Sequence, residues 1–321
     1  MRRLLSLALI SVMSLSLVAC GGKKEDGVYK VGISQLQQHV ALDASTQGFQ
    51  DALTTLLGED KVTFDIQNAS GDSANCATIA NQFVADDVDV MLTNGTASLQ
   101  AAAAATNEIP IFGTSITDYA SALEISDWSG ATGKNISGTS DLAPLDEQAA
   151  MLNELFPEAK NVGILYCSAE PNSLYQAEVM KKELEALGYT CEMYTFSDSN
   201  DIAAITTTAA DNSDVIYIPT DNSAASNTEI INNICLPAGV PIIAGEQGIC
   251  RGCGVATLSI DYYDIGYKAG EMAYEVLVNG ADVSTMDIEF APKVTKQYNS
   301  AICEELNISV PDSYIAIETD L

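Results

Sequence analysis

The chain has 321 residues, 47% of them hydrophobic, with 14 Lys and Arg against 44 Asp and Glu and a formal net charge of −30. That hydrophobic share excludes a disordered chain, and so acidic a surface, with its few basic residues scattered, excludes nucleic acid and anionic headgroups as partners. A mature chain of about 300 residues exceeds the usual size of one core, which favours two lobes.

Met1-Arg2-Arg3 followed by the apolar stretch Leu4 to Leu17 reads as a signal peptide over residues 1–19. Leu17-Val18-Ala19-Cys20 matches a bacterial lipobox. Cys20 is therefore the expected lipid-attachment residue, with residues 20–27 as a tether. The expected location is extracytoplasmic, anchored by lipid to the outer face of the cell membrane.

Strand-like and helix-like segments then alternate. Val28 to Ser34, Val62 to Asn68, Val88 to Thr93 and Ile109 to Gly113 read as strands. Between the first two, Phe49, Ala52, Leu53, Leu56 and Leu57 mark one face of a helix. Cys76, Ile79, Ala80 and Phe83 mark the next, and Ala97 to Ala105 a third. Alternation of this kind predicts a parallel sheet with helices on both faces.

The pattern then repeats. Val31-Gly32-Ile33 is answered by Val162-Gly163-Ile164, Asp89-Val90-Met91 by Asp214-Val215-Ile216, and Ile109-Pro110-Ile111 by Val240-Pro241-Ile242. The expected fold is α/β, two similar doubly wound parallel-sheet lobes joined by a three-strand hinge. Crossings are placed at Ser137 to Asp141, at Leu258 to Asp261 and near Gln297 to Ser300. These give residues 28–138 plus 262–297 as lobe one and 139–261 plus 298–321 as lobe two. Short multiple crossings make a hinge that opens and closes a cleft.

Ligands of such sheets bind beyond the carboxyl ends of the strands. The ligand-binding candidates there are Gln35, Asn94, Thr96, Ser115 and Thr117 in lobe one. In lobe two they are Asn172, Ser173, Thr220, Asp221, Asn222 and Glu246, with Asp261 at the second crossing. Ser, Thr, Asp and Asn also serve as helix caps and turn residues at such places. The loops carrying the first eleven candidates lack Lys and Arg. Hydroxyls and N–H groups at Thr96, Ser115, Thr117 or Ser173 can hold a carboxylate, and Asp221 and Glu246 an ammonium, so a zwitterion such as an amino acid fits. Tyr119, Tyr166, Tyr175, Tyr262 and Tyr263 can stack on a flat ligand. His39, the single histidine, reads as a rim residue or a ligand contact.

No catalytic residue, cofactor or metal is expected. No nucleophile stands with a partner base and no phosphate-cradling loop follows a first strand. An Asp221–Glu246 couple of the glycosidase kind is the enzymatic alternative. With Cys20 assigned to lipid, seven cysteines remain, an odd number. Cys250-Arg-Gly-Cys253 reads as a local disulfide or two plain thiols in a loop.

Several stretches carry a family resemblance: Asn68-Ala69-Ser70-Gly71-Asp72, Gly138-Thr139-Ser140-Asp141, Tyr217-Ile218-Pro219-Thr220-Asp221-Asn222, Ala244-Gly245-Glu246 and Ile260-Asp261-Tyr262-Tyr263-Asp264-Ile265-Gly266. Over essentially the whole mature chain the sequence resembles ABC-transporter substrate-binding proteins of the tryptophan/tyrosine family. The resemblance implies a periplasmic-binding-protein type I fold and a lipoprotein anchor. It also implies an aromatic amino acid as ligand and delivery to a membrane permease with its ATPase. Another amino acid, a nucleoside or a sugar as ligand, or a sensing role for a membrane receptor, keeps the same fold.

Overall fold

The computed structural model describes residues 27–317. The signal peptide, the lipobox with Cys20, all of the tether but Gly27, and the last four residues of lobe two lie outside the described residues.

The first α/β run comprises β1 (Tyr29–Gln35), α1 (Val40–Leu57), β2 (Val62–Asn68), α2 (Ser73–Ala85), β3 (Val90–Asn94), α3 (Thr96–Ala105), β4 (Ile111–Ile116), the single turn α4 (Tyr119–Ala122) and β5 (Ile136–Ser140). The second comprises α5 (Leu145–Leu155), β6 (Asn161–Cys167), α6 (Pro171–Ala186), β7 (Thr190–Phe196), α7 (Ile202–Asn212), β8 (Val215–Ile218), α8 (Asn222–Ala225), α9 (Thr228–Ala238), β9 (Ile242–Ala244), α10 (Gln247–Cys253) and β10 (Ala256–Ser259). The chain then continues through α11 (Tyr262–Asn279), β11 (Glu289–Phe290), β12 (Thr295–Tyr298), α12 (Ser300–Glu305) and β13 (Ile315–Ala316).

These strands form two sheets, ordered β11-β5-β4-β3-β1-β2 and β13-β12-β10-β9-β8-β6-β7. Leaving out the edge strands, the two orders are the same walk across a doubly wound sheet, as the internal repeat predicts. Within each, the strands pair in parallel, so their carboxyl ends and the helix N-termini share one rim. Central strands such as β3 and β6 are almost continuously buried because helices cover both faces.

Three passages join the sheets: residues 141–144 after β5, residues 260–261 after β10, and residues 291–294 between β11 and β12. The first and third differ from the expected positions: Ser137 to Ser140 belong to β5 of the first sheet, so that crossing begins at Asp141 and residues 139–140 stay with lobe one, and the third falls before Gln297. Thr295 to Tyr298 pair antiparallel with β10, so residues 295–297 belong to the second sheet. A four-residue, half-buried strand has too little hydrophobic pattern to announce itself.

Helix α11 carries the chain back onto the first sheet, where it packs on α1. The approach is close because both helices present glycine at the crossing. A Cβ on Gly48 would collide with the Tyr263 carbonyl oxygen, and one on Gly266 with the Ser45 carbonyl oxygen. Phe49, Leu53, Ala269 and Ala273 seal the remaining contact, all at 0% exposure. A fully buried Phe or Leu contributes roughly 1.5–3 kcal/mol. A local disulfide or loop thiols at Cys250 and Cys253 do not match the structure. Both lie on α10, one turn apart, and each is a buried free thiol, as are the other five cysteines of the described residues.

Candidate functional site

The two carboxyl-end rims face each other, and the lobes touch across them. His39, at the N-cap of α1, places Nε2 3.1 Å from Oδ1 of Asn222 in the second lobe. Gln176 on α6 donates through Nε2 to Thr117 Oγ1 of the first lobe at 3.2 Å. A groove of about 190 Å³ opens at one side of this contact, lined by Leu36, Gln37 and Ala97 from one lobe and by Ala169, Glu170 and Ser223 from the other.

Apart from that groove, the hinge holds a buried carboxylate. Asp141, the first residue after β5, is 4% exposed. Its carboxylate accepts from Thr117 Oγ1 at 3.2 Å and from the Tyr262 hydroxyl at 3.1 Å. Tyr262 opens α11, so this bond ties the first passage, where Asp141 sits, to the residue that follows the second. Burial pushes its carboxyl up to about 6, against the pull of the two hydroxyls, and the nearby Glu246 carboxylate adds to the rise. Two hydroxyls are weak compensation for a buried charge, and a cation beside Asp141 would supply the missing partner.

Glu246 follows β9 and caps α10, accepting from the backbone N–H groups of Gly248 and Ile249. Burial raises its carboxyl, opposed first by His39 across the cleft and, less strongly, by Arg251 on α10. The cleft loops carry no basic side chain, but Arg251 lies close enough to be felt. Glu170 is the second carboxylate of the lobe-two rim. It receives the backbone N–H and Nδ2 of Asn222, the N–H and hydroxyl of Ser223, and Nδ2 of Asn172.

Helix α3 starts at Thr96 with no side chain capping its first turn, and the buried Thr96 hydroxyl has no partner among the described residues. Its free N–H groups and positive end form a seat for a carboxylate. Thr96 shares a small crevice with Pro171, Asn172 and Tyr175 at the start of α6, so the two helix N-termini approach each other across the cleft.

The remaining sequence candidates divide by what their polar atoms do. Gln35 and Asn94 stand at the rim but are spent on α1. Gln35 bonds Asp43, Thr46 and the Gln37 carbonyl, and Asn94 bonds Ser45, Thr46 and the Leu42 carbonyl. Ser115 sits at φ 55° beside the irregularity that ends β4 and reaches Ser45 Oγ at 3.1 Å. Ser173 is fully buried beneath Asn172. Thr220 is half-buried and holds Gln176 through its backbone N–H and carbonyl.

Asp221, expected to receive an ammonium, instead accepts from the backbone N–H groups of Cys167 and Ala224, at 2.7 Å each. It ties β6 to α8, and burial together with Glu170 raises its carboxyl. Asp261 is exposed and caps α11 through the N–H groups of Tyr263 and Asp264, the ordinary role of Asp at that position. Of the tyrosines, Tyr262 reaches Asp141. Tyr119 is buried with its hydroxyl on the Thr139 carbonyl, and Tyr263 is exposed against Asp51. Three residues absent from the candidate set belong to the site geometry: Asp141, Glu170 and Gln176. In the sequence, Asp141 is visible as the polar end of a crossing and of the stretch Gly138-Thr139-Ser140-Asp141, with no sign of its partners.

The chain matches the family model described as ABC transporter substrate binding protein over residues 30–320. It is 33% identical over 305 residues to the tyrosine-binding protein of Clostridioides difficile strain R20291, covering 89% of this chain and 88% of that one. Among solved structures it is similar to the ABC domain in complex with L-Trp from Streptococcus pneumoniae, with TM-score 0.86 and 30% identity, over 91% of this chain and all of that one. It is also similar to the ligand-free, open structure of a substrate binding protein with adhesive properties from Clostridium difficile, with TM-score 0.69 and 32% identity over the same shares. At nearly equal identity, the lobe arrangement follows the L-Trp complex more closely than the open form, in keeping with the hydrogen bonds that cross the cleft. The fold is that of periplasmic-binding-protein type I, and the chain belongs to the ABC transporter substrate binding protein family.

Proposed function

We propose that this protein captures free L-tyrosine or L-tryptophan between its lobes and hands it to a membrane permease driven by an ATPase, without chemical change to the ligand. In this reading the lipid on Cys20 keeps it at the outer face of the membrane. The observation that carries the ligand class is Asp141, a carboxylate buried at the hinge with two hydroxyls as side-chain partners and, among the described residues, no cationic group on it. The ligand ammonium is its missing counter-ion, and the ligand carboxylate sits at the uncapped start of α3, on the Thr96 hydroxyl. The relatives named for tyrosine and solved with L-Trp support an aromatic side chain.

Titration calorimetry on the mature domain tests this. L-tyrosine or L-tryptophan should bind, N-acetyl-L-tyrosine, which has no ammonium group, should not, and Asp141→Asn should weaken the free amino acid by about 100-fold, the scale of an unpaired buried charge. Equal binding of the acetylated ligand would overturn the assignment of Asp141.

A further inference from the structure

The orientation of His39 is fixed by a residue in the opposite lobe. Nδ2 of Asn222 lies 2.6 Å from Glu170 Oε2, and an ionised carboxylate only accepts, so the Asn222 amide is oriented with Oδ1 away from Glu170. That Oδ1 faces His39 Nε2 at 3.1 Å, so Nε2 carries the proton. In the neutral ring Nδ1 is then a bare acceptor. It is buried and has no partner among the described residues. A buried acceptor left unmet is a standing penalty of the closed arrangement. Glu246 lies near enough to His39 and to Asp141 to interact with each when it is charged, so the three groups share one stretch of cleft.

We infer that His39 selects the ligand: Nδ1 accepts a hydrogen bond from the polar hydrogen of the ligand side chain, a phenol O–H or an indole N–H. The inference rests on the amino-acid reading above and sharpens it, because phenylalanine offers no such donor. The ring does two separable jobs. Nε2 joins the lobes through Asn222, and Nδ1 reads the ligand.

Two substitutions separate these jobs by geometry. His39→Gln keeps a donor near the Nε2 position and removes the acceptor at Nδ1. His39→Asn keeps an acceptor near Nδ1 and removes the donor to Asn222. Dissociation constants for L-tyrosine, L-tryptophan and L-phenylalanine at pH 8 give the readout, with circular dichroism to show that each variant is folded. The unsubstituted protein should bind its preferred donor-bearing ligand about tenfold or more tightly than L-phenylalanine, the scale of one buried hydrogen bond left unmade. That ratio should collapse toward one in His39→Gln. In His39→Asn it should persist while all the amino acids that bind weaken together. An unchanged ratio in His39→Gln, or no preference over L-phenylalanine in the unsubstituted protein, overturns the role of His39 and leaves the amino-acid reading standing. Failure of all three amino acids to bind overturns both.

Discussion

Burying Asp141 between Tyr262 and Thr117 lifts its carboxyl from 3.8 to about 6, so the folded protein holds that proton more tightly than the unfolded chain does. The stability tied to that proton is fully present below the unfolded value near 3.8 and is lost as pH rises through 6. A tenfold change in proton affinity is worth about 1.4 kcal/mol, so at neutral pH the ionised carboxylate costs on the order of 3 kcal/mol. Asp141→Asn should raise Tm of the protein without ligand at pH 7.5 and leave it near the unsubstituted value at pH 4. Equal Tm values at pH 7.5 would show that Asp141 carries no such strain. Glu246 and Asp221 are raised in the same direction, so a declining stability persists in the variant, with a shallower slope. Legibility in the sequence follows the same residues. Asp221 and Asp261 are visible as acids at strand ends, but hydrogen bonds to their own loops decide what they do. Asp141 needs Tyr262, 121 positions away, to become a site, and no local pattern reports such a meeting.

Among the elements, α11 is the one on which lobe one depends. It lies against α1 where Gly48 and Gly266 let the backbones touch, and a methyl at Gly266 meets a carbonyl that cannot swing aside. Gly266→Ala should destabilise by about 1–3 kcal/mol through overpacking, despite the higher helix propensity of alanine. Urea denaturation with an unchanged m-value checks this, and a stabilised variant would mean the helices separate freely. The helix itself is legible from Ile265, Ala269, Met272, Ala273 and Val276 and from its Asn279-Gly280 stop. The repeated order of strands is equally legible, because period and turn residues are local. Strand β12 is not, since its place depends on pairing with β10 rather than on its own side chains.

At the scale of the whole molecule, the lobes are joined by three short passages and by a few contacts across the rims. The Gln176 bond to Thr117 spans that gap beside Asp141, so it forms only when the lobes meet. Gln176→Leu should shift the balance toward the open form and weaken ligand by roughly fivefold, the worth of one net hydrogen bond. Small-angle scattering should show a smaller radius of gyration on adding saturating L-tyrosine to the unsubstituted protein, and a larger starting radius in the variant. Identical radii in the two proteins before ligand is added would place closure under the control of other contacts.

The interleaving of the two lobes also bears on when each can fold. The Tyr29 hydroxyl bonds the Leu277 carbonyl, 248 positions later, and α1 is covered by α11. A chain made from its N-terminus completes every central strand of lobe one long before the helix that seals its outer face exists. Contacts of such separation form late, because the closure entropy of the intervening chain must be overcome first. Phe49 and Leu53 thus wait uncovered through most of synthesis, and the lobe begun first is finished last. Such a delay keeps the chain slack, the condition in which it can be threaded through a membrane before it folds.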